Sequence, residues 1–203
     1  NEINTFMRHA HMQSHGFYDP HFLQNAVFRK QKSVTLFIDF GAEFTSASIW
    51  TDRGPVWHYK LQMGGTNISQ TIAENHNISF TEADRIKRAV FTMLPGPTDR
   101  FTPADVAYDF SRADINDIVV KYMTDIINDI HDNAFDSIEK YKPRNVIITG
   151  GASDAAGVVD FVSNAFGLPC ESFHVDGSVR ALGEFIWAAT ASDRAKIIAK
   201  QNK

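Results

Sequence analysis

The chain has 203 residues, 43% hydrophobic and 22% charged, which is enough to bury a substantial core and too apolar for a disordered segment. Its net charge of −4, with acidic and basic residues interspersed, gives no electrostatic support for nucleic-acid binding. The single cysteine, Cys170, excludes an intrachain disulfide and fits a reducing cytoplasm; flanked by Leu168 and Pro169, it reads as a structural thiol. No apolar run approaches the roughly 20 residues of a membrane span and no signal peptide is visible. Any membrane attachment is therefore expected through a partner or a segment outside this chain. The chain starts at Asn1 without a methionine, and the expectation is an excised piece of a longer protein.

Residues 1–33 are the least legible. They hold His9, His11, His15 and His21, but no cysteine or carboxylate cluster stands at ligand spacing, so these read as surface residues and not as a metal site. A short helix is expected from Pro20, with Phe22, Leu23, Ala26 and Val27 on one side. The pattern then changes. Val34 to Phe40 is an apolar, β-branched and aromatic run that suits a strand buried on both faces, and Gly41 ends it. Thr45 to Thr51 alternates as a second strand, Asp52-Arg53-Gly54-Pro55 turns, and Val56 to Gln62 returns as a third.

Gly64-Gly65 opens a helix capped by Thr66 or Asn67, with Ile68, Ile72 and Ala73 on one face. Asn75 to Ile78 breaks it. A second helix starts with Thr81 as its expected cap, with Ala83, Ile86, Lys87 and Val90 following. Pro95-Gly96-Pro97 is a rigid loop, and Asp114 to Tyr141 keeps helical apolar spacing throughout until Pro143 stops it. Asn145 to Thr149 is another buried strand, followed by Gly150-Gly151-Ala152-Ser153. A helix over Val158–Phe166 closes on Gly167 in a left-handed cap. A strand from Cys170 to Val175 and a helix from Val179 to Lys200 complete the chain. Trp50, Trp57 and Trp187 read as core residues. The order implies an α/β architecture with a helical segment inserted near its middle.

Two places share one physical design, a buried strand that stops at a small-residue loop. At Asp39-Phe40-Gly41-Ala42, glycine lets backbone N–H groups approach an anion, and an aspartate at the strand tip can hold a hydrated Mg2+. At Thr149-Gly150-Gly151-Ala152, paired glycines before a helix suit close approach of a nucleotide. Neither a Walker lysine loop nor a dinucleotide glycine fingerprint is present.

In combination these features resemble a family. Asp39-x-Gly41 at a strand tip, Gly64-Gly65 before a helix, Ala83-Asp84-Arg85-Ile86-Lys87 within one and Thr149-Gly150-Gly151 after a strand are similar to the C-terminal half of the actin-like ATPases, nearest to the FtsA and PilM families. The resemblance runs from about Val34 to Ala189. It implies an actin-like (ribonuclease H-like) mixed sheet with helices, residues 34–64 and 137–203 forming subdomain IIA and residues 65–136 the inserted, mostly helical subdomain IIB. It further implies that Asp39 lies on the metal side, that Gly41, Ala42 and Thr45 belong to the phosphate loop, that Asp84 and Lys87 lie beside ribose or base, and that Gly150, Gly151 and Ala152 lie beside adenosine.

The departures matter. The family loop reads Asp-x-Gly-x-x-Thr-Thr-Asp, and here Phe44 replaces its first threonine and Ser46 its last aspartate. Ala152 replaces a glycine, and Asp84 is one methylene shorter than the family's glutamate. Because a first half would supply the other wall of the site, ATP and Mg2+ binding by this fragment is expected to be weak or absent. The function implied is a cytoskeletal or membrane-machine adaptor at the inner face of the cytoplasmic membrane. Its partner would be an FtsZ-like tail or a peptide of an inner-membrane assembly protein, with Arg85, Arg88 and Lys121 as expected contacts, and self-association as a further expectation. A catalytic ATPase or kinase of the superfamily is one alternative; the degraded loop argues against it and leaves at most weak ATPase activity in the parent. A nucleotide-free module like the cytoplasmic domain of a type II secretion protein is the other.

Overall fold

The computed structural model describes residues 33–94, 100, 101 and 110–173. The helix expected from Pro20, the loop at residues 95–97, the final helix and Trp187 lie outside them. The apolar run TLFIDF forms β1 (Thr35–Phe40), and two hairpin partners follow it, β2 (Thr45–Thr51) and β3 (Gly54–Leu61). Helices α1 (Gly65–His76) and α2 (Phe80–Val90) come next. A two-residue antiparallel pair, β4 (Arg100–Phe101) and β5 (Phe110–Ser111), leads into α3 (Arg112–Tyr141), and β6 (Asn145–Gly150), α4 (Val158–Phe166) and β7 (Cys170–Ser172) complete the described chain.

The sheet order is β3-β2-β1-β6-β7. β1 pairs antiparallel with β2 and parallel with β6, and β6 pairs parallel with β7. The result is the mixed sheet with helices that the sequence implies. Strand pleating sends alternate side chains to opposite faces. Leu36, Ile38 and Phe40 therefore share one face with Ala47, Ile49, Val146 and Ile148. The Ile115–Ile130 stripe of α3 packs on β2 and β3, and Ile68 and Ile72 of α1 and Ala83 and Ile86 of α2 join the same core against α3 and each other. Each of the buried Leu, Ile, Val and Phe side chains contributes on the order of 1.5–3 kcal/mol by leaving water. Phe37 and Ile147, on the other face, are buried too.

Helix ends follow local chemistry. For α1 the cap is Gly64 and neither Thr66 nor Asn67, both of which lie in the first turn; Asn67 reaches back, its Oδ1 accepting the Gly64 N–H at 2.9 Å. For α2 the cap is Ser79 and not Thr81. Ser79 Oγ accepts the Glu82 N–H at 3.2 Å while Glu82 Oε2 accepts the Ser79 N–H at 3.1 Å, a reciprocal box that Thr81 cannot form because Asp84, three residues on, is engaged elsewhere. α3 starts two residues before the expected Asp114, with Ser111 Oγ accepting the Asp114 N–H, and it runs unbroken through residue 136, where the sequence reading ends the inserted segment.

α3 closes on Lys142 at φ 50, immediately before Pro143. Left-handed backbone costs a non-glycine residue roughly 1–2 kcal/mol, and the exposed Lys142–Glu139 pair offsets little of that. Lys142→Gly is therefore expected to raise stability by about 0.5–1 kcal/mol, read as an increased urea midpoint at unchanged slope.

Candidate functional site

The two small-residue loops leave one end of the sheet together. In the parallel β1–β6 pair, Asp39 lies opposite Thr149 and Phe40 opposite Gly150. Beyond these tips the chain diverges, from β1 to its hairpin partner on one side and from β6 to α4 and β7 on the other. Divergence at the carboxyl ends of adjacent parallel strands leaves a crevice, the usual ligand position in open α/β sheets.

Glycine is required at the tip. Gly150 has φ +89, and a Cβ there would meet the Phe40 carbonyl oxygen and stand 2.7 Å from Asp39 Oδ1. The Gly151 N–H donates to the Phe40 carbonyl at 3.1 Å, tying one loop to the other strand. Ser153 Oγ donates to the Gly150 carbonyl at 2.7 Å, and the Met93 N–H donates to the Ala156 carbonyl at 2.8 Å, so the far end of the loop is fastened to the segment after α2. On the β1 side the Gly65 and Thr66 N–H groups of α1 donate to the Gly41 and Ala42 carbonyls at 3.1 and 2.7 Å. A Cβ on Gly64 would stand 2.5 Å from the Ala42 carbonyl, so this approach also depends on a bare backbone.

Together these loops and one face of α2 enclose a pocket of about 670 Å3. Phe80, Asp84, Arg88 and Phe91, spaced by four, four and three residues, present that face, and Ile68, Met123 and Ile126 supply an apolar floor. The volume lies within the roughly 300–1,000 Å3 of small-molecule sites, and glycine-lined walls leave backbone accessible to a ligand.

Asp84 is held on three sides. Lys87 Nζ lies 2.8 Å from Oδ1, Ser69 Oγ donates to Oδ1 at 2.9 Å, and Arg88 Nε donates to Oδ2 at 2.7 Å. Partial burial pushes this carboxyl upward, but hydrogen bonds from Lys87, Arg88 and Ser69, with the Lys87 charge, outweigh it and hold the group well below the usual carboxylate range. Cys170 is half-buried and its thiol is pushed up to about 11, first by desolvation and then by Glu171 and Asp160, which suits a structural thiol.

Gly41, Ala42, Thr45, Asp84, Lys87, Gly150, Gly151 and Ala152 all border this pocket. Asp39 does not line it, although its Oδ1 reaches to within 2.7 Å of where a Cβ on pocket-lining Gly150 would stand. Among the described residues no group of three or more His, Cys, Asp or Glu is placed to hold a metal. Asp39 would thus meet Mg2+ only in company with water and phosphate oxygens. Thr45 is buried, and its hydroxyl donates to the Met63 carbonyl at 2.8 Å. Of the expected partner contacts, Arg88 stands at the pocket rim bound to Asp84, Arg85 is exposed on α2, and Lys121 is exposed on α3 and paired with Asp125 at 2.8 Å. Phe44, the departure from the family loop, lies under Lys60 Nζ, 3.4 Å from its ring centroid.

Sequence reasoning missed Gly64, Phe80 and Phe91 as pocket walls and Ser69 beneath them. The spacing of Phe80, Asp84 and Arg88 carried that signal; Ser69, a small polar residue on an apolar helix face, carried almost none.

The sheet order and the crevice at the β1–β6 tips define an actin-like ATPase fold. Three solved or curated proteins illustrate the likeness. Cell division protein FtsA of Enterococcus hirae is 26% identical over 144 residues, 66% of this chain and 32% of that protein. The structure of MreB5 of Spiroplasma citri bound to ADP superposes with a TM-score of 0.71 at 12% identity, over 97% of this chain and 66% of that one. A PilM–PilN type IV pilus biogenesis complex gives 0.63 at 16% identity, over 92% and 47%. No family model matches the sequence. The chain spans about a third of the curated relative's length. Among the described residues no helix is long and apolar enough to cross a membrane.

Proposed function

We propose that this chain is the C-terminal, adenosine-facing half of an FtsA- or PilM-like adaptor, whose pocket takes an adenine nucleotide as a state marker for assembly and whose surface binds a protein partner. The convergence of the Gly41–Ala42 and Gly150–Ala152 loops on one pocket carries this reading. The neighbours supply its chemistry: one MreB5 structure holds ADP and another holds AMPPNP, while PilM is seen in complex with PilN. The nucleotide would lie with its base over the apolar floor and its phosphates toward Gly41 and Ala42, with Mg2+ between those phosphates and Asp39. Turnover is not part of the proposal. Asp84 is bound to three partners, and Phe44 and Ser46 stand where the family loop carries a hydroxyl and a carboxylate. The adaptor would work in the cytoplasm, meeting the membrane only through its partner, with Arg85 and Lys121 as the remaining candidate contacts.

Gly151 offers a clean test. It borders the pocket, and a Cβ built on it meets nothing within 4 Å. Gly151→Leu should therefore fill the site while leaving the melting temperature within about 3 °C of wild type. MgADP titrated calorimetrically into the full chain should lose at least about tenfold in affinity, roughly 1.4 kcal/mol, in the variant. Equal affinity in both proteins would place the nucleotide elsewhere and remove this reading.

A further inference from the structure

Lys87 is a buried ammonium, and a buried charge is tolerated only where its donors are answered. An ammonium has three donors. Lys87 Nζ has three acceptors at hydrogen-bonding distance: the Gly65 carbonyl at 2.8 Å, Ser69 Oγ at 2.8 Å and Asp84 Oδ1 at 2.8 Å. None remains for a ligand, although the side chain borders the pocket. Gly65 is itself adapted to this contact, since a Cβ there would stand 3.2 Å from Nζ. The same Gly65 donates its N–H to the Gly41 carbonyl, and Thr66 donates to Ala42. An unbroken chain of hydrogen bonds thus runs from α2, across the first turn of α1, to the loop after β1.

We propose that Lys87 and Ser69 are positioning residues, forming with Asp84 a strut between α2 and the first turn of α1 that sets the geometry of the Gly41–Ala42 loop. The wall of the pocket built from α2 thereby controls the wall built from β1. Through this strut the site distinguishes phosphorylated from unphosphorylated nucleosides without Lys87 touching a phosphate. This ligand-level consequence rests on the nucleotide reading above, whereas the strut itself does not. Ser69 makes the idea testable, because it is fully buried and does not border the pocket, so any effect of changing it on a ligand has to be transmitted.

The first measurement is hydrogen–deuterium exchange of the 203-residue chain without ligand. Ser69→Ala and Lys87→Met should each speed exchange in peptides covering residues 62–69 by about fivefold or more, with α4 peptides unchanged. Unchanged exchange at residues 62–69 in Ser69→Ala overturns the strut. The second is calorimetric titration of the same proteins with MgADP and with adenosine. Ser69→Ala should weaken MgADP by about 5–20-fold and leave adenosine within about twofold. Parallel loss of both ligands overturns the positioning role in favour of general loosening. Absence of MgADP binding to the wild type overturns the nucleotide reading instead, and the exchange arm still decides the strut. Lys87→Arg, which keeps the charge but not the three-way fit, should fall between wild type and Lys87→Met in the exchange measurement; equality with Lys87→Met would confine the effect to the ammonium's shape, and equality with wild type would overturn the three-acceptor account.

Discussion

Gly150→Val should lose about 2–6 kcal/mol of stability, a large part of a folding margin that is typically about 5–15 kcal/mol. Two causes add. At φ +89 any L side chain is strained, at a cost of order 1–3 kcal/mol. The new Cβ also meets backbone: the Phe40 carbonyl oxygen and, at 2.7 Å, its carbon. Phe40 is the register partner of Gly150 in the parallel β1–β6 ladder, so no side-chain rotation relieves the contact and the ladder itself has to open. Overpacking of this kind costs about 1–3 kcal/mol or more. Urea unfolding followed by circular dichroism measures the loss. Gly151→Val is the control, since its added Cβ meets nothing and its loss should stay below about 1 kcal/mol. If Gly150→Val matched the control, the two strand tips would not approach as described, and the shared crevice would go with them.

What the sequence disclosed and what it hid divide along physical lines. β2 and α4 fall on the predicted residues, Thr45–Thr51 and Val158–Phe166, because period-two alternation and a glycine C-cap at φ 63 are local signals. The two-residue strands β4 and β5 have no room for a period, so nothing in the sequence announced them. The capping error at Thr81 arose from reading one residue at a time, when the decisive feature is the reciprocal Ser79–Glu82 pair. The pairing of the two glycine loops was legible only as a resemblance; the 110-residue separation between Phe40 and Gly150 is closed by β1–β6 pairing, which no local pattern encodes. Asp39 stands at the same tip, opposite Thr149 and with its Oδ1 2.7 Å from where a Cβ on Gly150 would lie, although it does not line the pocket. Ser69 is the clearest omission: its importance comes from meeting two residues of α2, 15 and 18 positions away.

Asp84→Ala should be the second large loss, about 2–4 kcal/mol. Removing one partner of a buried ion pair leaves the other uncompensated and costs about 3–5 kcal/mol when both are fully buried; a discount is due because Asp84 keeps 26% of its side chain exposed at the pocket. Lys87, at 11%, bears the penalty, with only the Gly65 carbonyl and Ser69 Oγ left to accept from it. The charge origin of the loss has two signatures. Asp84→Ala combined with Lys87→Met should recover most of the stability, because the stranded charge leaves with its partner, giving a coupling energy of about 1–3 kcal/mol in the double-mutant cycle. The pH dependence should agree in sign. A carboxyl held below its unfolded value contributes fully above the unfolded pKa of about 3.9 and loses that contribution as pH falls further. Wild type and Asp84→Asn should therefore differ most above about pH 5 and converge in more acidic solution. A gap that stayed constant down to about pH 2.5 would assign the cost to lost packing at residue 84, and the three-sided grip on its carboxylate would no longer explain why α2 and the first turn of α1 stay together.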